Sequence, residues 1–295
     1  MSAHKLMKRI INPEGIDYDT NAKTEEERNV KIAKQIAATT YGISSDPLMQ
    51  LAVVFSALIH DADHTGLPNA TLVNEQREIA ARYNNKSVAE QNSVDVAWVA
   101  LMQDEFKELR AALYSSEEEL KRFRQLVVNT VLATDIADKE LQTLRKNRWN
   151  DTFDEAGKVE SDSESEINRK ATIVLEHIIQ AADVSHCMQH WHTYTRWNQR
   201  LFEECYVAWM NDHAAKSPAG GWYKGEMWFF DNYIIPLAEK LKKCGVFGVS
   251  YHENYCYAIE NRKEWEQKGE RIVAQLLEDC ERKLGTKKSY PTLDC

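Results

Sequence analysis

The chain has 295 residues, 43% of them hydrophobic and 28% charged, and its formal net charge is −9 at pH 7. These values are typical of a soluble globular protein that forms one large helical domain or two small ones. Because the protein is negatively charged, it would repel a long polyanion, so no nucleic-acid partner is expected. A small anionic substrate can still bind beside metal ions.

The N-terminal sequence and the cysteines indicate the compartment. Residues 1–15 lack the apolar core of a secretory signal, and no run approaches the roughly 18 apolar residues of a membrane-spanning helix. The six cysteines include no CxxC pair. We therefore expect reduced thiols, a cytoplasmic location and no membrane segment in this chain.

Apolar residues recur at helical spacing along most of the chain, and Gly (11) and Pro (6) are scarce. We therefore predict an all-α fold. The predicted helices are 24–40, 47–60, 69–83, 87–103, 116–134, 166–182, 188–213, 225–243 and 252–285. Because the 47–60 segment is almost wholly apolar and begins at Pro47, we expect it to be a helix buried in the centre.

Two segments are expected to lie outside the helices. Residues 154–168 are acidic and rich in Ser, which predicts a solvated loop. Residues 286–295 are expected to form a frayed tail. Since no linker composition separates the helices, residues 1–285 are predicted to form a single domain, with the acidic loop as an insertion.

The pattern with the clearest chemistry directly follows the 47–60 helix. Residues 60–66 read HDADHTG and match the pattern HDxDHxG. Imidazole and carboxylate groups are suitable ligands for Zn²⁺, Mn²⁺, Fe²⁺ or Mg²⁺. We therefore predict that His60 and Asp61 bind metal, the alternative being that this segment only caps the helix.

Asp183 is a second candidate ligand, far along the chain. It follows the small, apolar run IIQAA. A carboxylate there is costly to bury unless it is paired or bound to a metal. A helix cap or a buried salt bridge is the alternative, but together with the HD pattern we favour the metal.

Several segments, in order, resemble the class I 3′,5′-cyclic-nucleotide phosphodiesterases, a family of the HD superfamily, over about residues 50 to 265. They are HDADHTGLPN at 60–69, EIAARYNNKSV at 78–88, VLATD at 131–135, ADVS at 182–185 as the family's ADxS, and EMWFFD at 226–231 with Pro236-Leu237 as its QxxFID…PL. The resemblance implies a compact, multi-helix HD-type phosphodiesterase bundle. It also implies metal-dependent hydrolysis of the 3′-phosphoester bond of cAMP or cGMP to the 5′-monophosphate, in signal transduction.

The resemblance also implies a role for each matching residue. His60, Asp61 and Asp183 would bind a zinc ion, and Asp61 would also contact a second divalent ion, Mg²⁺ or Mn²⁺. Asp61, His64 and Glu204 would serve catalysis, with Glu204 matching an acid that steadies a catalytic imidazole. The nucleotide would lie against Asp61, Asp183, Leu201, Glu226 and Phe229, of which Leu201 and Phe229 would clamp the purine.

The chain departs from the family pattern in three places. It contains no HNxxHAxxV, the upstream motif that supplies a general acid and a further metal ligand, and residues 1–19 resemble the stretch that follows that motif. We therefore expect a truncated chain with little activity by itself, from a longer parent protein that has room for regulatory or membrane domains. Residues 91–93, QNS, replace Asn-His-His, and Glu226 replaces the Gln that reads the purine edge.

Two alternatives stay open, and four further histidines are expected to lie outside the catalytic groups. The chain could be a catalytically impaired fragment that binds nucleotide or partners on the same scaffold. It could also be another HD-type phosphohydrolase, although the QxxFID-like segment argues against that. His186, His190 and His192 are expected at a pocket rim or on the surface, and His4 on an exposed helix face.

Overall fold

The computed structural model describes residues 2–13, 21–153, 163–248 and 252–285. Over these ranges all regular structure is helical, which confirms the all-α prediction. The helices before the acidic segment are α1 (Ser2–Ile11), α2 (Glu25–Thr39), α3 (Pro47–Ile59), α4 (Asn69–Asn74), α5 (Glu78–Arg82), α6 (Val88–Leu101), α7 (Lys107–Leu113), α8 (Glu117–Leu132) and α9 (Lys139–Phe153). Those after it are α10 (Glu164–Asp183), α11 (Trp191–Met210), α12 (Trp222–Phe229), α13 (Ile235–Lys243) and α14 (Glu253–Leu284).

A large apolar core joins helices from both halves of the chain. Its largest fully buried side chains include Trp265 of α14, Tyr194 of α11 and Phe123 of α8. The main packing partners are α3 with α8, α11 with α14, and α1 with α10. Burial of each large apolar side chain contributes about 1.5–3 kcal/mol. The packing therefore fixes the ends of α3 and α10, which carry the residues of the predicted metal site.

Helix α3 buries only one face, so the prediction of a wholly buried helix was wrong. Met49, Ala52, Val53, Ser56 and Ile59 are buried, at the i, i+3, i+4 spacing of a single stripe. On the other face Leu58 is 80% exposed and Leu51 38%. Exposed leucines are common on protein surfaces, so apolar content alone overestimated the burial.

The start of α3 is fixed by its cap. The Asp46 carboxylate accepts a hydrogen bond of 3.0 Å from the backbone N–H of Met49, and Pro47 occupies the first turn. Arg122 of α8 forms an ion pair with Asp46. The cap and the ion pair together position the helix that ends next to His60.

The acidic loop is shorter than predicted. Ser163 caps α10 by accepting a hydrogen bond of 3.3 Å from the backbone N–H of Glu166, and residues 164–168 form the first turn of the helix. Carboxylates are favourable at a helix N-terminus, where they interact with the helix dipole. The acidic composition of 163–168 therefore marked a helix start, and the loop prediction was wrong there. Residues 154–162 and the predicted tail lie outside the described residues.

Other boundaries also differ from the predictions. Helices α7 and α9 were not predicted, and α1 was expected only as the helix that carries His4. The predicted 69–83 helix is two short helices separated by Gln76, whose φ is 53°. The predicted 225–243 helix contains a π-helical turn at Phe230–Ile234. His4 is exposed on α1, as predicted. None of the described helices is both long enough and apolar enough to cross a bilayer.

Candidate metal centre and nucleotide site

Three predicted ligands meet where α3 and α10 end. His60 follows the last residue of α3, Asp61 is next to it, and Asp183 is the last residue of α10. His60 Nε2 lies 3.2 Å from an Asp61 carboxylate oxygen and 3.3 Å from an Asp183 carboxylate oxygen. One ligand atom from each residue lies within 4.8 Å of the others. The structure therefore brings these three residues together although Asp183 is distant in sequence.

The orientation of the His60 ring is suitable for metal binding. Its Nδ1 is 3.1 Å from the carbonyl oxygen of Ala57, whereas its buried Nε2 is turned toward the carboxylates of Asp61 and Asp183. A metal-binding histidine usually donates from one nitrogen to such a carbonyl and presents the other to the ion. The donor set of one imidazole nitrogen and two carboxylates suits a divalent cation.

The charges at this cluster favour a cation. Asp183, and after it Asp61, raise the pKa of His60 to about 10, while His60 holds the pKa of Asp61 below its ordinary value. Asp183 is a carboxylate at a helix C-terminus, which the helix dipole disfavours by about 0.3–1 kcal/mol. Either a proton or a divalent ion offsets this negative charge, and metal binding displaces the proton.

The cluster is more open than the apolar helix suggested. The exposed fraction of the side chain is 19% for His60, 37% for Asp183 and 67% for Asp61. The imidazole is therefore enclosed, and the two carboxylates face an accessible side. This geometry leaves room for a ligand on the carboxylate side.

The turn after the cluster is held by residues that replace the family's Asn-His-His. Asp63 has a φ of 61°, an unusual backbone conformation that needs support. The buried Asn92 donates a hydrogen bond of 3.0 Å to the Asp63 carboxylate, and the buried Ser93 hydroxyl donates one of 2.8 Å to the carbonyl of Ala62. In this chain these positions fix the HD turn by direct hydrogen bonds.

His64 and Glu204 lie on the two sides of Gly66. The backbone N–H of Gly66 donates to His64 Nδ1 at 3.1 Å, which leaves Nε2 as the proton-bearing nitrogen of a neutral ring. Gly66 has a φ of 76°, and a Cβ built on it would lie 3.3 Å from Glu204 Oε1. The backbone conformation favours glycine here, and a larger residue would also have to displace the end of the Glu204 side chain by a few tenths of an ångström.

Glu90 is a site neighbour that the sequence analysis missed. Burial is the main cause that raises its pKa, and its carboxylate interacts electrostatically with His64 and Asp135. Asn69 donates to Glu90 at 2.9 Å and to Asp135 at 3.4 Å. Asp135 belongs to the VLATD segment and Asn69 ends the HDADHTGLPN segment, so these two motifs were the signal available in the sequence.

Glu226 accepts hydrogen bonds in a partly buried network on α11 and α12. The Tyr194 hydroxyl donates to Glu226 Oε2 at 2.7 Å, and Asn198 Nδ2 donates to the Tyr194 hydroxyl at 3.5 Å. The indole N–H of Trp222 donates to Asn198 Oδ1 at 3.2 Å, which fixes the orientation of the amide. Burial raises the pKa of Glu226, and the Tyr194 and Asn198 hydrogen bonds oppose that rise.

The turn after α10 lies between the metal residues and Glu226. Burial raises the pKa of the Cys187 thiol, and the nearby Glu226 and Asp183 carboxylates raise it further.

Phe229 ends α12 and stacks on Tyr233 with ring centres 5.2 Å apart and planes 13° apart. Leu201 lies on α11 and is 47% exposed.

His190 and His192 lie near Tyr257 and outside this cluster, whereas His186 is close enough to Asp183 to interact with it electrostatically. His190 Nε2 is 3.1 Å from the Tyr257 hydroxyl, and its ring centre is 5.8 Å from that of His192. His186 faces Trp197 at 6.2 Å. Over the described ranges, His60, Asp61 and Asp183 are the one group of three such side chains with metal-binding spacing.

Comparison with known families identifies one match that covers most of the chain. The family described as 3′5′-cyclic nucleotide phosphodiesterase matches residues 33–245. This range contains the HD turn, Asp183, Leu201, Glu204, Glu226 and Phe229.

Curated relatives match over about half of this chain. A Caenorhabditis elegans protein named "Probable 3′,5′-cyclic-AMP phosphodiesterase pde-4" is 35% identical over 156 residues, which are 52% of this chain and 22% of that protein. The mouse "Dual specificity calcium/calmodulin-dependent 3′,5′-cyclic nucleotide phosphodiesterase 1B" is 30% identical over 156 residues, 52% of this chain and 26% of that protein. The match therefore spans about a quarter of the relatives' length.

Two solved structures share the fold. The phosphodiesterase domain of the RhoPDE fusion protein from the choanoflagellate Salpingoeca rosetta superposes with a TM-score of 0.64 at 19% identity, covering 94% of this chain and 90% of that one. A second structure, of the phosphodiesterase domain of Salpingoeca rosetta rhodopsin phosphodiesterase, gives 0.63 at 20% identity, with coverages of 95% and 98%.

Proposed function

The chain belongs to the 3′5′-cyclic nucleotide phosphodiesterase family, and on this premise we propose that its site carries out metal-dependent hydrolysis of a 3′,5′-cyclic nucleotide to the 5′-monophosphate. The observation that supports this most is the cluster of His60, Asp61 and Asp183, in which His60 Nε2 lies 3.2 and 3.3 Å from the two carboxylates. We propose zinc for this cluster and Mg²⁺ or Mn²⁺ for a second position beside Asp61.

Each residue of the site has a proposed task. When bound, a divalent ion supplies Lewis-acid chemistry, because it polarises a phosphoryl oxygen and stabilises the charge that develops there. His60, Asp61 and Asp183 hold the cation, and the Asn92 hydrogen bond keeps the HD turn in the required conformation. His64 orients polar groups at the exposed side of Asp61, and Glu204 supports the turn from α11.

We propose that Glu226 and Phe229 contact the base. Phe229 is supported from behind by the ring of Tyr233 and would stack on the purine, with Leu201 on the other side. Glu226 accepts the Tyr194 hydroxyl through Oε2 and also interacts with Asn198, and we propose that its second oxygen, Oε1, faces the edge of the base. An ionised carboxylate only accepts hydrogen bonds, which favours a base edge that donates.

Hydrolysis by the 295-residue chain tests this function. The chain contains no HNxxHAxxV, and loss of a general acid typically costs about 10²–10⁴-fold. We therefore expect a kcat of about 10⁻³–10⁻¹ s⁻¹, against a typical value of about 10 s⁻¹. Formation of 5′-GMP and 5′-AMP is followed by chromatography with and without Mn²⁺. Asp61→Ala and Asp183→Ala should abolish it, and the matched control His190→Ala should not.

Thermal melts of the same variants separate metal binding from turnover. A ligand present at about 100 times its Kd raises the unfolding free energy by about 2.7 kcal/mol if it binds only the native state. Mn²⁺ should stabilise wild type and His190→Ala but neither aspartate variant. If the nucleotide binds without any metal-dependent turnover, the second candidate function, a nucleotide-binding scaffold without catalysis, replaces the proposal. If Mn²⁺ stabilises Asp183→Ala as much as wild type, the metal site is elsewhere.

A further inference from the structure

A second cavity lies behind the Phe229–Tyr233 ring stack. It has a volume of about 590 Å³ and is enclosed by α9, α10, α12, α13 and the π-helical turn. It shares Phe229 with the proposed nucleotide site, whereas His60, Asp61, Asp183, Leu201 and Glu226 are not among its lining residues. Its volume falls within the range of about 300–1,000 Å³ that is usual for small-molecule sites.

The lining of this cavity is cationic although the chain as a whole is acidic. Arg145, Lys146, Lys240 and Lys243 line it, against one carboxylate, Glu239, which lies 3.4 Å from Lys243. A cleft lined mainly by one sign of charge concentrates ions of the opposite sign. The cavity is therefore suited to an anion.

Two donors in this cavity could bind an anion, and one of them has no partner. The half-buried Arg145 guanidinium donates to the carbonyls of Leu132 and Asp135 and lies near the Glu176 carboxylate, but it forms no close ion pair within the described residues. The buried Tyr233 hydroxyl has no hydrogen-bond partner among the described residues. Burial raises the pKa of Tyr233, so the hydroxyl keeps its proton and remains a donor. Buried polar groups without partners are rare and usually indicate a missing ligand or water.

Flat apolar surfaces stand next to these donors. Trp228 is 64% exposed and lines the cavity, and Phe229 and Tyr233 form an adjacent wall. Aromatic rings stack favourably in an offset arrangement, worth about 0.5–1.5 kcal/mol beyond their area burial. The two donors, Arg145 and Tyr233, are suited to contact a charged group. The indole of Trp228 is suited to contact a ring.

We propose that this cavity is a second binding site, for a small planar anion: an aromatic ring that carries a phosphate or carboxylate group. Arg145 and Tyr233 receive the anionic group, and Trp228 stacks on the ring. The site uses none of the proposed metal-binding residues. Binding at this site can therefore be tested independently of the proposed hydrolysis.

Calorimetric titration of the 295-residue chain in EDTA tests this site, with three probes. 1-Naphthyl phosphate carries both the ring and the anion, inorganic phosphate the anion alone, and 1-naphthol the ring alone. We expect 1-naphthyl phosphate to bind at least about tenfold more tightly than either of the others, because it makes both kinds of contact. Equal affinity for all three probes, or no heat with 1-naphthyl phosphate, would overturn the proposal.

Two variants with matched controls locate the site. Tyr233→Phe should weaken binding of 1-naphthyl phosphate by about tenfold or more, since hydrogen bonds to charged groups are worth about 1.5–3 kcal/mol. Trp228→Ala should weaken the same probe and leave inorganic phosphate unchanged. Tyr257→Phe and Trp197→Ala, whose side chains do not line the cavity, are the controls. If the controls lower the affinity as much as the cavity variants, the probe binds elsewhere.

The melting temperature gives an independent check. Because the Tyr233 hydroxyl has no partner, Tyr233→Phe should leave the stability of the ligand-free protein unchanged or higher. If Tyr233→Phe weakens binding and leaves stability unchanged or higher, the Tyr233 hydroxyl contributes to ligand binding and not to folding. A clear loss of stability in Tyr233→Phe would show that the fold already satisfies the hydroxyl and would overturn the proposal.

Discussion

Glu226 is held by two polar side chains of α11. The Tyr194 hydroxyl donates to Glu226 Oε2, Asn198 also hydrogen-bonds the Glu226 carboxylate, and the Trp222 indole N–H donates to Asn198, so the ionised carboxylate acts as an acceptor. Guanine offers N1–H and N2–H as two adjacent donors, whereas adenine offers one donor beside an acceptor that a carboxylate repels. The network therefore favours guanine at this position, if the site acts on cyclic nucleotides as proposed.

We predict that the protein prefers cGMP and that Glu226→Gln shifts the preference toward cAMP. Because burial raises the pKa of Glu226, the carboxyl becomes protonated as the pH falls, and then offers a donor as well as an acceptor. The cGMP preference should therefore decrease toward low pH in wild type and be independent of pH in Glu226→Gln. The measurement is the ratio of kcat/KM for the two nucleotides between pH 6 and 9. A constant ratio that the substitution leaves unchanged would contradict this.

The sequence identified single site residues better than it identified their partners. His60, Asp61 and Asp183 follow from motif and residue chemistry, and the structure brings them together. The hydrogen bonds that orient the site join residues far apart in sequence, such as Asn92 with Asp63 and Tyr194 with Glu226. Such pairs depend on how α6, α11 and α12 pack, and no local pattern encodes them.

At the scale of the helices, the cap of α3 matters because this helix leads directly to His60. We predict that Asp46→Ala lowers the unfolding free energy by about 1–2 kcal/mol, since it removes an N-cap as well as the ion pair with Arg122. Thr24→Ala is the matched control. It removes the cap of α2, which contributes no buried residue to the core, and should change global stability much less. Urea unfolding followed by circular dichroism compares them, and equal losses would contradict the prediction.

Helix prediction succeeded where apolar periodicity was strong and failed where it was weak. The predicted α3, α8, α11 and α14 all form, with ends that differ by a few residues. Helix α9 was missed because charged and polar residues surround its apolar ones, and only Trp149 and Thr152 are buried. Helix α1 is an exception: it is not among the predicted ranges, although its buried residues Ala3, Leu6, Met7 and Ile10 recur at helical spacing and the helix packs on α10.

At the scale of the whole molecule, the buried His177 makes stability depend on pH. Burial, and after it the charge of Lys240, lower its pKa to about 3, and Arg145 and Arg148 act in the same direction. The folded pKa is thus below the ordinary value of about 6.5, so the unfolded chain takes up the proton first. This contribution to stability is complete above pH 6.5 and is lost progressively as the pH falls toward 3.

We predict that His177→Phe flattens this dependence. Wild type should lose up to about 1.4 kcal/mol of unfolding free energy per pH unit through this residue below pH 6, and the variant should lose less. The measurement is urea unfolding at several pH values from 7 to 5. His4→Gln, a change at an exposed position on α1, should keep the wild-type slope. A variant slope equal to wild type would show that other groups cause the dependence.

The π-helical turn at Phe230–Ile234 sets the rotation of the α12 side chains relative to those of α13. A π turn holds one residue more than an α turn, and each residue of an α-helix advances the side chains by about 100° and 1.5 Å. Glu226 and Phe229 precede the turn, while α13 follows it and packs on α10, the helix that ends at Asp183. With an uninterrupted α-helix, the side chains of Glu226 and Phe229 would point about 100° away from their present direction relative to α10. If these two side chains contact the base as proposed, the number of residues between Phe229 and Pro236 determines substrate alignment as much as their identity does.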